Sequence, residues 1–131
     1  MTSRRVWLCL VLLLSSCKNM GDKMEILPMN LGEWKRMAVE NIPAEDHPRE
    51  FKERGIKRAR RAIYNGPARL TATIYEFGAL GTAFELVQKW RPQEGKMATQ
   101  EGVYFILLEA PGVDGKIAND FASKLEAFLR K

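Results

Sequence analysis

Few side chains in this sequence could support nucleophilic catalysis or bind a metal. The chain has one histidine, His47, and, beyond its first 16 residues, one serine, Ser123. A catalytic serine needs a histidine beside it and an exposed position, often at a sharp turn between glycines. Ser123 lies instead within an amphipathic helical pattern, so we expect it on a helix surface. We expect His47 to be a loop or capping residue and assign no catalytic residue, metal ligand or cofactor.

Phosphate binding and acid–base catalysis have little support among the remaining polar residues. The glycines of the segment from Phe77 to Thr82 could place N–H groups around a phosphate, but the P-loop lysine and the dinucleotide spacing are missing. A tight strand-to-helix turn explains these glycines better. The acidic residues are scattered, so a carboxylate-dependent hydrolase, which needs two facing acids, is a lesser alternative.

A basic run is the most unusual polar feature of the sequence. It contains Lys57, Arg58, Arg60 and Arg61. No aromatic residues alternate with these cations, so we do not expect nucleic-acid binding. The run could contact an anionic membrane surface, where each cation contributes about 1 kcal/mol. Alternatively, it is the solvated face of a strand, or an edge strand protected by charge.

Five aromatic residues could line a pocket between sheet and helices: Trp34, Tyr75, Phe77, Trp90 and Tyr104. Pockets of this kind bind apolar ligands in many folds of this type. The same residues could equally fill the core, since aromatic side chains bury large apolar areas. Both interpretations stay open at this point.

Hydrophobic periodicity predicts an α+β fold with the order strand, short helix, two strands, helix, two strands, helix. The first strand passes through Met37 and Val39, and Asp46-His47-Pro48 opens the short helix. The later elements are strands over 56–64 and 69–77, a helix with Leu80, Ala83, Phe84, Val87 and Trp90 at helical spacing, strands over 96–99 and 103–108, and a final helix carrying Ile117, Phe121, Leu125 and Phe128. We expect two layers: a mainly antiparallel sheet of four to five strands, with the two main helices packed on one face.

The N-terminus has the composition of an export signal. Arg4 and Arg5 precede an apolar run from Val6 to Leu14, which at 1.5 Å per residue covers about 14 Å and is too short for a hydrocarbon core of about 30 Å. Leu14-Ser15-Ser16-Cys17 resembles the lipobox of bacterial lipoproteins. The resemblance implies cleavage before Cys17 and lipid on its sulfur, although an ordinary secretory signal is the alternative.

These features predict three segments in the 131-residue chain: a signal peptide over 1–16, a short tether over 17–25 and a single α+β domain over 26–131. Cys9 would leave with the signal and Cys17 would carry lipid, so the domain would have no disulfide. Loss of Arg4 and Arg5 would lower the formal net charge of +5 by two. Lys18, where some inner-membrane lipoproteins have aspartate, favours the outer membrane.

The sequence also resembles an uncharacterised family of small bacterial envelope domains. The matching features, which cover most of residues 27–130, are Leu27-Pro28, Gly32 and Trp34, Tyr64, the strand from Leu70 to Phe77, Ala83 to Leu86, Gly102 to Phe105, and Phe121 to Leu125. This resemblance implies an envelope location but no activity. We therefore expect a lipid-anchored, non-enzymatic domain that binds an envelope protein. The alternative is a carrier or sensor of a small apolar ligand. The oligomeric state stays open.

Overall fold

The computed structural model describes residues 25–131, which form one antiparallel six-stranded sheet with helices against it. The elements are β1 (Asn30–Leu31), β2 (Trp34–Ile42), a 3₁₀ turn (Ala44–Asp46), α1 (Arg49–Glu53), β3 (Ile56–Asn65), β4 (Arg69–Phe77), α2 (Thr82–Lys89), β5 (Lys96–Glu101), β6 (Tyr104–Glu109) and α3 (Gly115–Arg130). The strand order is β1-β2-β3-β4-β6-β5. The predicted signal peptide, Cys17 and nearly all of the predicted tether lie outside the described residues.

The hairpin of β3 and β4 forms the middle of the sheet. Its pairing extends from Asn65 opposite Arg69 to Ile56 opposite Phe77, as the alternation of apolar residues predicted. The connecting turn contains Gly66, at which an added Cβ would lie 2.8 Å from the carbonyl oxygen of Glu33. Glycine is required there because the backbone before β2 passes directly over the turn.

Each face of the sheet has its own core, because successive strand residues point to opposite sides. Ile106 is fully buried beneath α3, together with Ile74 of β4. The next residue in the sequence, Phe105, is buried against Phe77, Ala83 and the rest of a second cluster. We call these two surfaces the α3 face and the α2 face.

Helix α3 covers the α3 face with the stripe that its periodicity predicted. Asp114 begins the helix by accepting a hydrogen bond from the backbone N–H of Lys116 at 2.9 Å, as an aspartate at the N-cap position typically does. Phe121 is fully buried and packs edge-on against the rings of Trp34 and Tyr64, with centroids 5.1 and 4.8 Å away.

Helix α2 differs from its predicted form. It begins only at Thr82, after Gly81 adopts φ of 94°. Leu80 therefore precedes the helix and is 81% exposed, while Phe84 is 49% exposed. Ala83 and Leu86 are buried instead, because the inward side of so short a helix holds few residues.

The α+β class and the antiparallel sheet are confirmed, with two differences in detail. The sheet has six strands because Asn30–Leu31 folds back onto β2 as a two-residue strand, which is too short to show alternation. The two main helices pack against different faces: α3 contributes to one buried cluster and α2 to the other. Periodicity defines the inward stripe of a helix but not the face of the sheet that receives it.

Two phenylalanines test this arrangement of the core. We expect Phe121→Ala to lower the free energy of unfolding by about 3–5 kcal/mol, because it leaves a cavity beneath Trp34 and Tyr64. Phe84→Ala, at an exposed position of the same residue type, should cost less than about 1 kcal/mol. Urea unfolding monitored by circular dichroism measures both values. Equal losses would contradict the assignment of Phe121 to the core.

Candidate functional site

The side chains of the basic run in β3 point alternately to the two faces of the sheet. Most of them form ion pairs with acidic residues. Strand β3 lies between β2 and β4, so it is not an edge strand. Arg58 pairs with Glu76 at 2.6 Å and Arg61 with Glu40 at 2.9 Å, each on a neighbouring strand. These cross-strand pairs account for charge that the sequence alone left unmatched.

The remaining arginine of the run, Arg60, binds Glu25, the first residue that the structure describes. Its Nε donates to Glu25 Oε2 at 2.7 Å, and its Nη2 donates to the other oxygen of the same carboxylate. Arg36 Nη1 donates to Glu25 Oε1 at 3.3 Å and to the carbonyl of Leu27 at 2.7 Å. The hydrogen bonds from Arg60 hold the pKa of the Glu25 carboxyl below its usual range, although partial burial opposes this effect.

The segment after Glu25 is bound along the α3 face. Ile26 and Leu27 are fully buried in the α3 core. The hydroxyl of Tyr64 donates to the carbonyl of Pro28 at 2.6 Å, and burial raises the pKa of that hydroxyl. Residues 25–28 are thus part of the fold, although residue 25 was predicted as tether. Glu25 could not be identified from the sequence, because no sequence pattern pairs it with a residue 35 positions away.

The five predicted pocket aromatics do not form one group. Trp34 is fully buried in the α3 core, and its Nε1 donates to Asp120 Oδ2 at 3.3 Å. Tyr104 packs at the margin of the same core. The other three, Tyr75, Phe77 and Trp90, belong to the cluster on the α2 face.

Two residues that the sequence analysis did not single out join the aromatics of the α2 face. The Phe51 ring contacts Tyr75 and Phe77 edge-on, with centroids 4.7 and 5.5 Å away, and the Phe105 ring lies 6.0 Å from that of Trp90. The alternation in β6 would have placed Phe105 opposite Ile106. Phe51 lies in a five-residue helix of mostly charged residues, where periodicity carries little information.

A cavity of about 310 Å³ opens beside this cluster. Its apolar lining comes from Phe51, Leu86, Trp90 and Phe105, and its polar lining from Glu50, Lys89, Arg91 and Gln93. The Nε1 of Trp90 is buried and makes no hydrogen bond with any described residue. A buried donor of this kind normally has an acceptor. We call this space the Trp90 cavity.

His47 and Ser123, the two residues considered for nucleophilic catalysis, lie in a loop and on a helix surface. His47 is buried, its backbone N–H donates to Ala44 at the end of the 3₁₀ turn, and its ring Nε2 lies 2.9 Å from the carbonyl oxygen of Ile42. Ser123 is exposed on α3. His47 therefore fixes the loop that follows β2, and Ser123 faces solvent.

Strand β2 leaves a long open edge. Strand β1 pairs only with Trp34 and Lys35, and one further backbone hydrogen bond joins Arg36 to Met29. From Met37 to Ile42, β2 is hydrogen-bonded to β3 on its inner side alone within the described chain. Met37 is 63% exposed on this edge. Open edges can accept an extended strand from another chain.

The ion pair between Glu25 and Arg60 makes stability depend on pH. Because the folded pKa of Glu25 is lowered, the pair stabilises the fold above the ordinary value of 4.5, and this stability is lost as the pH falls through the folded pKa. We expect Glu25→Gln to lower the free energy of unfolding by about 0.5–1 kcal/mol at neutral pH. This difference should be smaller near pH 3, because a larger fraction of the Glu25 carboxyl is then protonated.

The control for this prediction is Glu94→Gln, which changes an exposed carboxylate outside any ion pair of the described residues. Urea unfolding of both variants at the two pH values gives the comparison. A Glu25→Gln variant whose stability follows pH as steeply as that of the parent protein would contradict the role of this pair.

Within residues 25–131, no cluster of three or more histidine, cysteine or acidic side chains is placed to bind a metal ion. No helix in the same part of the chain has both the length and the apolar character needed to cross a membrane. Comparison of the chain with known protein families, characterised proteins and solved structures gives no significant match.

Proposed function

We propose that this protein is a lipid-anchored domain of the bacterial cell envelope that binds another envelope protein without catalysing a reaction. The anchor is supported by Leu14-Ser15-Ser16-Cys17 after a basic and apolar leader. Two or three acyl chains make release from a membrane slow. Lys18 after the acylated cysteine favours the outer membrane.

The open edge of β2 is the observation that carries the binding role. From Met37 to Ile42 the edge offers backbone hydrogen-bonding groups along with the exposed side chain of Met37. A bulge between Arg36 and Ala38 and the charge of Glu40 oppose uncontrolled self-pairing. An extended segment of a partner would add as a seventh strand, with backbone hydrogen bonds supplying affinity.

The short chain between anchor and domain keeps the domain near the membrane. Eight residue steps separate Cys17 from Glu25, which at about 3.3–3.6 Å per residue span at most about 28 Å. Because Glu25 is bound by Arg60 and Arg36, the domain stays within this reach of the lipid. The partner must therefore reach a domain that is held at the membrane, whether or not the partner itself lies in that membrane.

One experiment tests anchor and partner together. A photoreactive amino acid replaces Met37 in the native host, in the parent chain and in Cys17→Ser, with Gln88 as an exposed control site. We expect intact mass to show lipid on Cys17, and a specific crosslinked envelope protein from position 37 that is lost in Cys17→Ser. A lipid-free mature chain would contradict the anchor, and equal crosslinking from positions 37 and 88 would contradict the edge.

The second candidate function is binding of a small ligand in the Trp90 cavity. The Nε1 of Trp90 lacks an acceptor among the described residues, and Lys89 and Arg91 at the rim form no ion pair there. A ligand with an aromatic or apolar body, an acceptor oxygen and a negative charge would match these groups. Of the five aromatic residues predicted to line a pocket, only Trp90 lines this cavity.

Anilinonaphthalene sulfonate is a probe with this chemistry. We expect Trp90→Phe to weaken its binding about fivefold to tenfold, because the smaller side chain is still aromatic but lacks the hydrogen-bond donor. Lys89→Gln should also weaken binding, whereas Lys116→Gln, on α3, should not. Fluorescence titration of the folded variants measures the dissociation constants. Unchanged binding in both Trp90→Phe and Lys89→Gln would exclude this cavity as the site.

A further inference from the structure

An exposed apolar pair lies at one end of the sheet. Leu80 is 81% exposed in the turn after β4, and Phe84 is 49% exposed in the first turn of α2. Both residues therefore lie at the N-terminal end of α2. Part of the apolar stripe predicted for α2 is therefore exposed to solvent. Leu80 does not contribute to the core of the described domain. We call Leu80 and Phe84 the apolar tip.

The N-terminal segment points toward the same end. Pro28 is bound by Tyr64, near the last residues of β3, whereas Glu25 is bound by Arg60, four residues closer to the start of that strand. Residues 25–28 thus run along β3, and their N-terminal end lies toward its beginning. Ile56, the first residue of β3, pairs with Phe77, the last residue of β4 before the apolar tip.

The segment between Cys17 and Glu25 is long enough for the lipid and the apolar tip to reach the same membrane surface. From Arg60 to Ile56 the strand covers about 13 Å at about 3.3 Å per residue. Eight residue steps join Cys17 to Glu25 and span up to about 28 Å. The acylated cysteine can therefore lie level with the apolar tip without a change in the fold.

We propose that the apolar tip rests in the membrane that holds the lipid of Cys17, with Leu80 and Phe84 among the headgroups and upper acyl chains. The inference depends on the proposed anchor and assigns an orientation to the domain. The opposite end of the sheet, with the turn at Gly66 and the early part of β2 at Met37, then faces away from the membrane.

The contact is apolar rather than electrostatic. Lys57 lies beside Gly78 at the base of the turn, and Lys52 is nearby, but Glu45 and Asp46 lie on the same end of the sheet. These charges offset one another, so little attraction to anionic lipid remains. Insertion should therefore be similar in vesicles with and without phosphatidylglycerol.

A fluorescent label at one new cysteine tests the orientation in the acylated full chain. Ala79→Cys is exposed and leaves Leu80 and Phe84 in place, and Met37→Cys is the matched control at another exposed position. In the acylated chain Cys17 is blocked, so an environment-sensitive dye attaches to the new cysteine alone. The protein is placed in phosphatidylethanolamine vesicles with and without phosphatidylglycerol.

We expect a blue shift and loss of quenching by aqueous iodide for the dye at position 79, and neither change at position 37. The added pair Leu80→Ser and Phe84→Ser should abolish both changes while the protein stays bound through its lipid and keeps its circular dichroism spectrum. Equal exposure of the two dyes on a chain whose mass shows lipid would overturn the orientation alone. A mature chain without lipid would overturn the anchor and the orientation together.

Discussion

Burial of strands β4 and β6 on both faces is the constraint on which the rest of the structure depends. Ile106 and Phe105 are neighbours in sequence, point in opposite directions and are both almost fully buried. A strand of this kind needs cover on each side. Helix α3 supplies one cover together with residues 26 and 27, and α1 with α2 supplies the other. The separate aromatic clusters and the Trp90 cavity follow from this division.

The sequence predicted the elements better than it predicted their partners. Alternation identified β4 from Arg69 to Phe77, and the stripe of α3 agrees with the buried residues. The face chosen by α2 was not predictable, because two inward stripes of similar character fit either face of a two-sided sheet. The ion pairs of the arginines could not be predicted either. The pair of Arg58 depends on the register of β3 and β4, and the pair of Arg60 involves a segment distant in sequence.

Many of the charged and titratable residues that stand out in the sequence stabilise the fold. The arginines of β3 bind carboxylates on adjacent strands or on the N-terminal segment, and His47 closes a loop. Accessible apolar groups occur at three other places: at Met37 on β2, in the Trp90 cavity, and at Leu80 with Phe84. These three surfaces lie on different parts of the described domain.

The attachment of residues 25–28 along β3 also has a mechanical consequence. A pull on the chain upstream of Glu25, directed along this segment, stretches the contacts to Arg60, Arg36 and Tyr64 at the same time. Contacts strained in parallel resist force better than contacts that open one after another. Drag on the domain would therefore reach the central strands as shear, and the N-terminal segment would not peel away residue by residue.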